Sequence, residues 1–236
     1  MLSRVIRCAL IGCCLVALAA LSGCSWLNSA LGGNTPKEAK AEVEWPFETD
    51  AILVDLVSDL DLNFYSNQSH TVVLGVFQTS DQKAFVDLLA KPDAVMKVLV
   101  GGKTSPEVVQ LNRYVVSPGK KTTLKIDRVQ GAKFVGFVAG YYQLKPVQAA
   151  RLFRIPLNIE TSGVLTTTYK AEPAILALRL FLGSDRIVNA EVLTYDFEKK
   201  VIKETVPLGA VKPEINLDGQ VTQAKGSADA ALKLID

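Results

Sequence analysis

The chain has little of what most protein chemistry requires. Its four cysteines, Cys8, Cys13, Cys14 and Cys24, all fall within the first 24 residues, so the rest of the sequence carries no disulfide framework. His70 is the sole histidine. A zinc site wants three or four His, Cys or carboxylate ligands at close spacing, and no such set is at hand. A Ser–His–Asp arrangement would have to recruit His70, and the polar stretch around it holds no Gly-x-Ser-x-Gly elbow. Neither a Gly-x-Gly-x-x-Gly fingerprint nor a Walker loop occurs. No carboxylate pair is marked out for glycoside hydrolysis. The sequence reads as that of a protein that is not an enzyme and needs no cofactor or metal. Clustered basic charge is missing too, which argues against nucleic acid as a partner.

One long apolar run is present, Cys8 to Leu21, preceded by Arg4 and Arg7. It is shorter than the about 20 residues of a comfortable membrane span. A basic n-region, an apolar h-region and small residues after it describe a secretory leader over residues 1–23. Loss of both arginines with that leader lowers Lys plus Arg from 26 to 24, level with the 24 Asp and Glu. The leader ends in Leu21-Ser22-Gly23-Cys24, which resembles the lipobox of bacterial lipoproteins. A rival at Leu10-Ile11-Gly12-Cys13 would leave too short an h-region. The resemblance implies that Cys24 becomes the lipidated amino terminus, which accounts for a thiol with no downstream partner. One acyl chain holds a protein to a bilayer only weakly and several hold it durably. Ser25 in the next position implies sorting to the outer membrane.

Residues 24–44 read as a flexible tether. From Leu27 to Glu44 the composition is Gly, Ala, Asn, Lys and Glu with few large apolar groups, and roughly 18 such residues would span about 20–25 Å as a coil. The period then becomes two. Ile52, Val54, Leu56, Leu60, Leu62 and Phe64 alternate with a set that includes Asp55, Asp59 and Asp61, as in a half-buried antiparallel strand with a solvated acidic face. Tyr65 to His70 is a polar loop, followed by a β-branched strand over Thr71–Gln78. Ser80 is a candidate N-cap for a helical turn carrying Phe85, Leu88 and Leu89 on one face. Pro92 bounds a second turn with Val95, Met96 and Leu99. Strands resume over Val108–Val116 and, after the Ser117-Pro118-Gly119-Lys120 turn, through Thr122, Leu124 and Ile126. Phe134–Tyr142 is apolar throughout, as in a central strand packed on both sides, with Gly136 and Gly140 there for packing. Ile175–Leu182 and Ile187–Leu193 form a hairpin across Gly183-Ser184-Asp185. Many short strands with one helical insert define a mainly β chain, a two-sheet sandwich over residues 45–195. Residues 196–236 read as a C-terminal extension, partly mobile.

Taken in order, the lipobox, the strand ending at Leu62-Asn63, the polar loop, "VVLGVFQ" (Val72–Gln78), "AFVDLL" around Phe85, "VSPGKK" (Val116–Lys121) and "FVGFVAGYYQL" (Phe134–Leu144) resemble TssJ, the lipoprotein family of the bacterial type VI secretion system. The resemblance runs over roughly residues 50–193. It implies a transthyretin-like sandwich with a short helical insertion, tethered by lipid to the periplasmic face of the outer membrane. It also implies an assembly role in the type VI membrane complex, through binding to the periplasmic domain of TssM, the inner-membrane component. The family's contact loop falls here on Asn63, Phe64, Tyr65, Ser66, Asn67, Gln68, Ser69 and His70, with Ser117–Lys121 as a neighbour on the same surface. The alternative is a ligand-binding or adhesive sandwich lipoprotein. A transthyretin-related hydrolase would need several histidines, and one is available.

Overall fold

The computed structural model describes residues 28–29, 31–164 and 166–194. The leader, Cys24 and the 196–236 extension lie outside the described residues. The chain divides into two compact units: the chain up to Val43 with Ile159–Ala171, and Glu44–Asn158 with the chain from Glu172.

The larger unit is a β-sandwich. One sheet has the order β10-β9-β1-β4, with β1 at Glu48–Ser58, β4 at Lys121–Arg128, β9 at Leu176–Leu182 and β10 at Ile187–Val192. The other has the order β3-β2-β5-β6, with β2 at Val72–Thr79, β3 at Val108–Val116, β5 at Phe134–Ala139 and β6 at Ala150–Arg154. Alternate residues of both sheets meet in one core: Ile52, Val54 and Leu56 with Leu178 and Leu180 from one side, Leu74, Val76, Val135, Phe137 and Phe153 from the other. Period-two side chains on two facing sheets produce this layer directly. Most pairings are antiparallel, but β1 and β9 run parallel in the register Ile52↔Leu176.

Helices α2 (Gln82–Leu89) and α3 (Pro92–Leu99) contribute Phe85, Leu89, Val95, Val98 and Leu99 to a second core with Phe77, Val138 and Leu152. Glycine makes room for them. A Cβ at Gly136 would stand 2.3 Å from the Phe85 ring, and one at Gly75 would stand 2.5 Å from a Leu99 methyl. The N-cap of α2 is Asp81, whose carboxylate accepts from Lys83 N at 3.0 Å, one residue beyond the expected Ser80.

One expectation fails at β1. The strand stops at Ser58, and its odd-numbered face is not solvated: Asp55 and Leu53 are fully buried. Flanked by β4 and β9, the strand has no free edge. Asp55 meets its charge partner Arg179 on β9, across the parallel pairing. Alternation of apolar and acidic residues suggests an inner and an outer face; the acid is instead buried and paired with a partly exposed arginine.

Strands β7 (Leu157–Ser162) and β8 (Thr168–Pro173), which fall mostly in the smaller unit, form a two-stranded sheet. Helix α1 (Pro36–Ala41) opens with a capping box: Glu38 N donates to Thr35 Oγ1 at 3.3 Å and Thr35 N donates to Glu38 Oε2 at 2.7 Å. Such boxes satisfy two otherwise orphaned amides. Ala39 is buried against Ile159 and Ala171, with Val43 and Tyr169 at the margin. Part of the stretch expected to be a flexible tether is therefore helical. Among the described residues no helix is long and apolar enough to cross a membrane.

Candidate functional site: an aromatic loop cluster at one end of the sandwich

The β1–β2 connection is built tightly. Asn63 takes a positive φ of 48°, which asparagine tolerates better than most residues. Its buried side chain ties the loop together: Nδ2 donates to Thr71 O at 3.0 Å, and Oδ1 accepts from Tyr142 N at 2.8 Å. Tyr65 and Gln68 exchange backbone hydrogen bonds at 3.0 and 3.1 Å. Between them Ser66 and Asn67 both take positive φ, 51° and 59°, as a primed two-residue hairpin turn requires. His70 N closes the loop on Leu62 O at 3.0 Å.

Three rings stack on this frame. Tyr65 lies on His70 with centroids 3.7 Å apart and planes 11° apart. Its other neighbour is Tyr142, at 4.2 Å and 15°. His70 is thus a member of an aromatic stack. Its Nδ1 is buried and makes no hydrogen bond.

Neighbouring loops are bonded to this one. Ser58 Oγ donates to Ser117 O at 2.7 Å, and Gly119 N donates to Asp59 O at 2.9 Å. Gly119 takes a positive φ, and a Cβ there would stand 2.8 Å from Leu60. On the other side Phe64 N donates to Ser184 O at 3.0 Å, and Tyr141 Oη donates to Arg186 O at 2.6 Å. Burial holds the Tyr141 phenol well above the usual tyrosine range. Asp185 forms a two-pronged pair with Arg186 at 2.8 and 2.9 Å, and that hydrogen bonding holds its carboxyl below the usual carboxylate range.

The sequence-chosen residues therefore divide in two. Asn63 is internal scaffolding. Phe64 is 46% exposed, Tyr65 is half-buried within the stack, and Ser66, Asn67 and Gln68 face solvent, with Ser69 and His70 half-buried behind them. The structure adds Leu60 at 77% exposure and Tyr142 at 66%. Sequence pattern marks neither as a contact residue: Leu60 reads as part of a strand and Tyr142 as the end of one. The double tyrosine after Gly140, beyond the last pairing of β5, is the signal available for the second. Ser117–Lys121 lies alongside the cluster, bonded to it through Ser58 and Asp59. Among the described residues, no three His, Cys, Asp or Glu side chains are grouped to hold a metal ion.

What this arrangement offers is area: flat ring faces and apolar groups, held by hydrogen bonds on a rigid sandwich and edged with amides and hydroxyls. Aromatic anchors with a polar rim are the anatomy of a protein-binding patch. The class the fold defines is a β-sandwich, with an aromatic and apolar cluster on its end loops.

Comparison with known proteins gives the family. Residues 50–171 match the family model of the type VI secretion lipoproteins, described as VasD, EvfM, TssJ and VC_A0113. The match spans more than half of the chain, which therefore belongs to the type VI secretion lipoprotein family. Among solved structures, the chain is similar to the lipoprotein TssJ1 from Pseudomonas aeruginosa, at 18% identity over 64% of this chain and 98% of that one, with a TM-score of 0.43. It is also similar to a chain in the structure of the TssM C-terminal domain from EAEC, at 13% identity, 61% and 98% coverage and a TM-score of 0.44. The membrane-bound type VI component Lip of Serratia marcescens matches at 12% identity, 61% and 96% coverage and a TM-score of 0.40. The search of curated proteins returned no match.

Proposed function

We propose that this lipoprotein is an assembly factor of the type VI membrane complex, held by acylated Cys24 in the outer membrane and facing the periplasm. Its end-loop cluster binds the periplasmic domain of a TssM-like inner-membrane protein. Family membership supports the setting. The observation that carries the binding reading is the Tyr142–Tyr65–His70 stack, with the exposed Leu60 and Phe64 on the same β1–β2 connection. Exposed rings and apolar groups are held there in a preformed loop, so little ordering entropy is left to lose on association.

Two variants test the halves separately. With the inner-membrane protein absent, the chain from Ser25 behind a conventionally cleaved secretory leader is expected to move from the membrane to the soluble periplasmic fraction, and there to capture the partner's soluble periplasmic domain when that is added. Phe64→Ala with Tyr142→Ala is expected to stay in the membrane fraction and lose the partner. A chain from Ser25 that still pellets with the membrane contradicts the anchor. Undiminished co-purification of the double variant contradicts the contact surface.

A further inference from the structure

The β7–β8 unit carries features that the end-loop cluster does not use. Asn28 stands four residues after Cys24, and its side-chain amide pairs with β8's entry like a short strand. Nδ2 donates to Thr167 O at 2.8 Å and Oδ1 accepts from Thr167 N at 2.6 Å. Asn34 repeats the device two residues along β8, Nδ2 to Tyr169 O at 2.9 Å and Tyr169 N to Oδ1 at 2.6 Å. Each amide satisfies one backbone donor and one acceptor of the same residue, as a strand partner would. The clamp changes what the leash can do. Fully extended, Cys24 to Asn28 reaches at most about 14 Å, whereas free chain from Cys24 to Val43 would reach more than four times as far.

The turn between the two strands reads Ser162-Gly163-Val164-Leu165-Thr166-Thr167, without a charge. Gly163 takes a φ of +104°, and a Cβ there would stand 1.8 Å from Thr166 O. That tight turn leaves Val164 with 102% relative exposure, and Leu31, in the same unit, is 61% exposed. Scattered single apolar residues on a surface need no explanation. An uncharged apolar tip three residues from the point where the segment after Cys24 is clamped is a different matter.

We propose that the β7–β8 tip is a membrane contact: Val164 enters the interfacial layer of the leaflet that holds the Cys24 lipid, and the Asn28–Asn34 clamp keeps it there. This rests on the reading of Cys24 as acylated. The occupant is the bilayer itself rather than a protein, because the clamp places the tip beside the anchor whatever partner binds elsewhere. Lacking charge, the contact draws on apolar insertion and so is insensitive to salt.

The test uses the full chain with Val164→Cys, expressed with its leader and extracted from membranes. A thiol-reactive, environment-sensitive dye is attached, and the product is reconstituted into phosphatidylethanolamine–phosphatidylglycerol vesicles. Removal of the leader and acylation of Cys24 leave the introduced thiol as the single reactive one, so labelling reports the anchor independently. The expected result is one dye per chain, blue-shifted emission, at least twofold quenching by doxyl-labelled lipid, and no change on adding salt. Asn28→Ala with Asn34→Ala is expected to remove most of that quenching while the thermal transition of the sandwich stays in place. One dye per chain with water-like, unquenched emission overturns the tip contact, and quenching that survives loss of both asparagines overturns the clamp. More than one dye per chain refutes the acylated anchor, and the inference falls with it.

Discussion

Replacing Asn63 is the sharpest probe of whether the aromatic loop is preformed. Its amide satisfies Thr71 O and Tyr142 N at 3.0 and 2.8 Å, and its backbone sits at a φ of 48°. Leaving a buried backbone donor or acceptor unpaired costs about 1–3 kcal/mol. Thr71 and Tyr142 are themselves exposed residues, which puts both losses at the low end, together about 2 kcal/mol. A left-handed conformation adds about 1 kcal/mol for alanine and almost nothing for glycine. Asn63→Ala should therefore lower the unfolding free energy by about 3 kcal/mol. Asn63→Gly should cost about 2 kcal/mol from the lost pairings, plus about 0.4–1 kcal/mol for the extra backbone entropy glycine gives the unfolded chain. Urea unfolding of the soluble chain from Ser25 measures both, with the aromatic near-ultraviolet dichroism of the folded state reporting the stack. An Asn63→Ala variant within about 0.5 kcal/mol of the parent refutes the reasoning.

Other substitutions test the packing and the charges. Gly136→Ala drives a methyl into the Phe85 ring; it should cost at least about 1–3 kcal/mol by thermal melting, with Phe85→Leu in the same chain recovering part of the loss. Asp55→Ala removes the buried partner of the partly exposed Arg179 and should cost about 1–3 kcal/mol, whereas Asp55→Leu with Arg179→Met should lie closer to the parent in the same urea titration. Tyr141 and Tyr114 both have phenols raised by burial. The folded state thus keeps protons that the unfolded chain gives up at about pH 10, so stability is full below that pH and falls as pH rises above it. Melting temperatures from about pH 8 to 11 should show the fall, and Tyr141→Phe should flatten it.

Local pattern made much of the sandwich legible. Val108–Val116 shows as a strand with the same limits in sequence and structure, and the β9–β10 hairpin follows from two apolar runs around Gly183-Ser184-Asp185. The doubly buried β5 follows from an apolar run with no alternation, and Gly136 makes the close approach expected of a glycine there. What stayed hidden depends on contacts distant in sequence. Nothing near Asp55 announces that β9, more than a hundred residues on, will lie parallel to it and bring Arg179. Helix α1 hides in a composition of Ala, Lys and Glu that suits a linker equally well, although Thr35-Pro36-Lys37-Glu38 spells a capping box. Tyr65 and His70 are marked by their loop, yet their partner Tyr142 belongs to a different connection and only the fold brings it over. The asparagine clamp on β8 is of the same kind, side chains answering a backbone far along the chain.

On the proposed function, the exposed rings and apolar groups of the end loops meet another envelope protein. Calorimetric titration of the soluble chain against the purified periplasmic domain of the cognate inner-membrane component tests this most directly, with Tyr142→Ala and Phe64→Ala alongside the parent. Aromatic anchors in such patches are worth about 2 kcal/mol or more, so each variant is expected to bind more than tenfold more weakly while the domain stays folded, with the lost Tyr65–Tyr142 stack costing Tyr142→Ala about 0.5–1.5 kcal/mol of stability. Equal affinity for parent and variants would contradict the account.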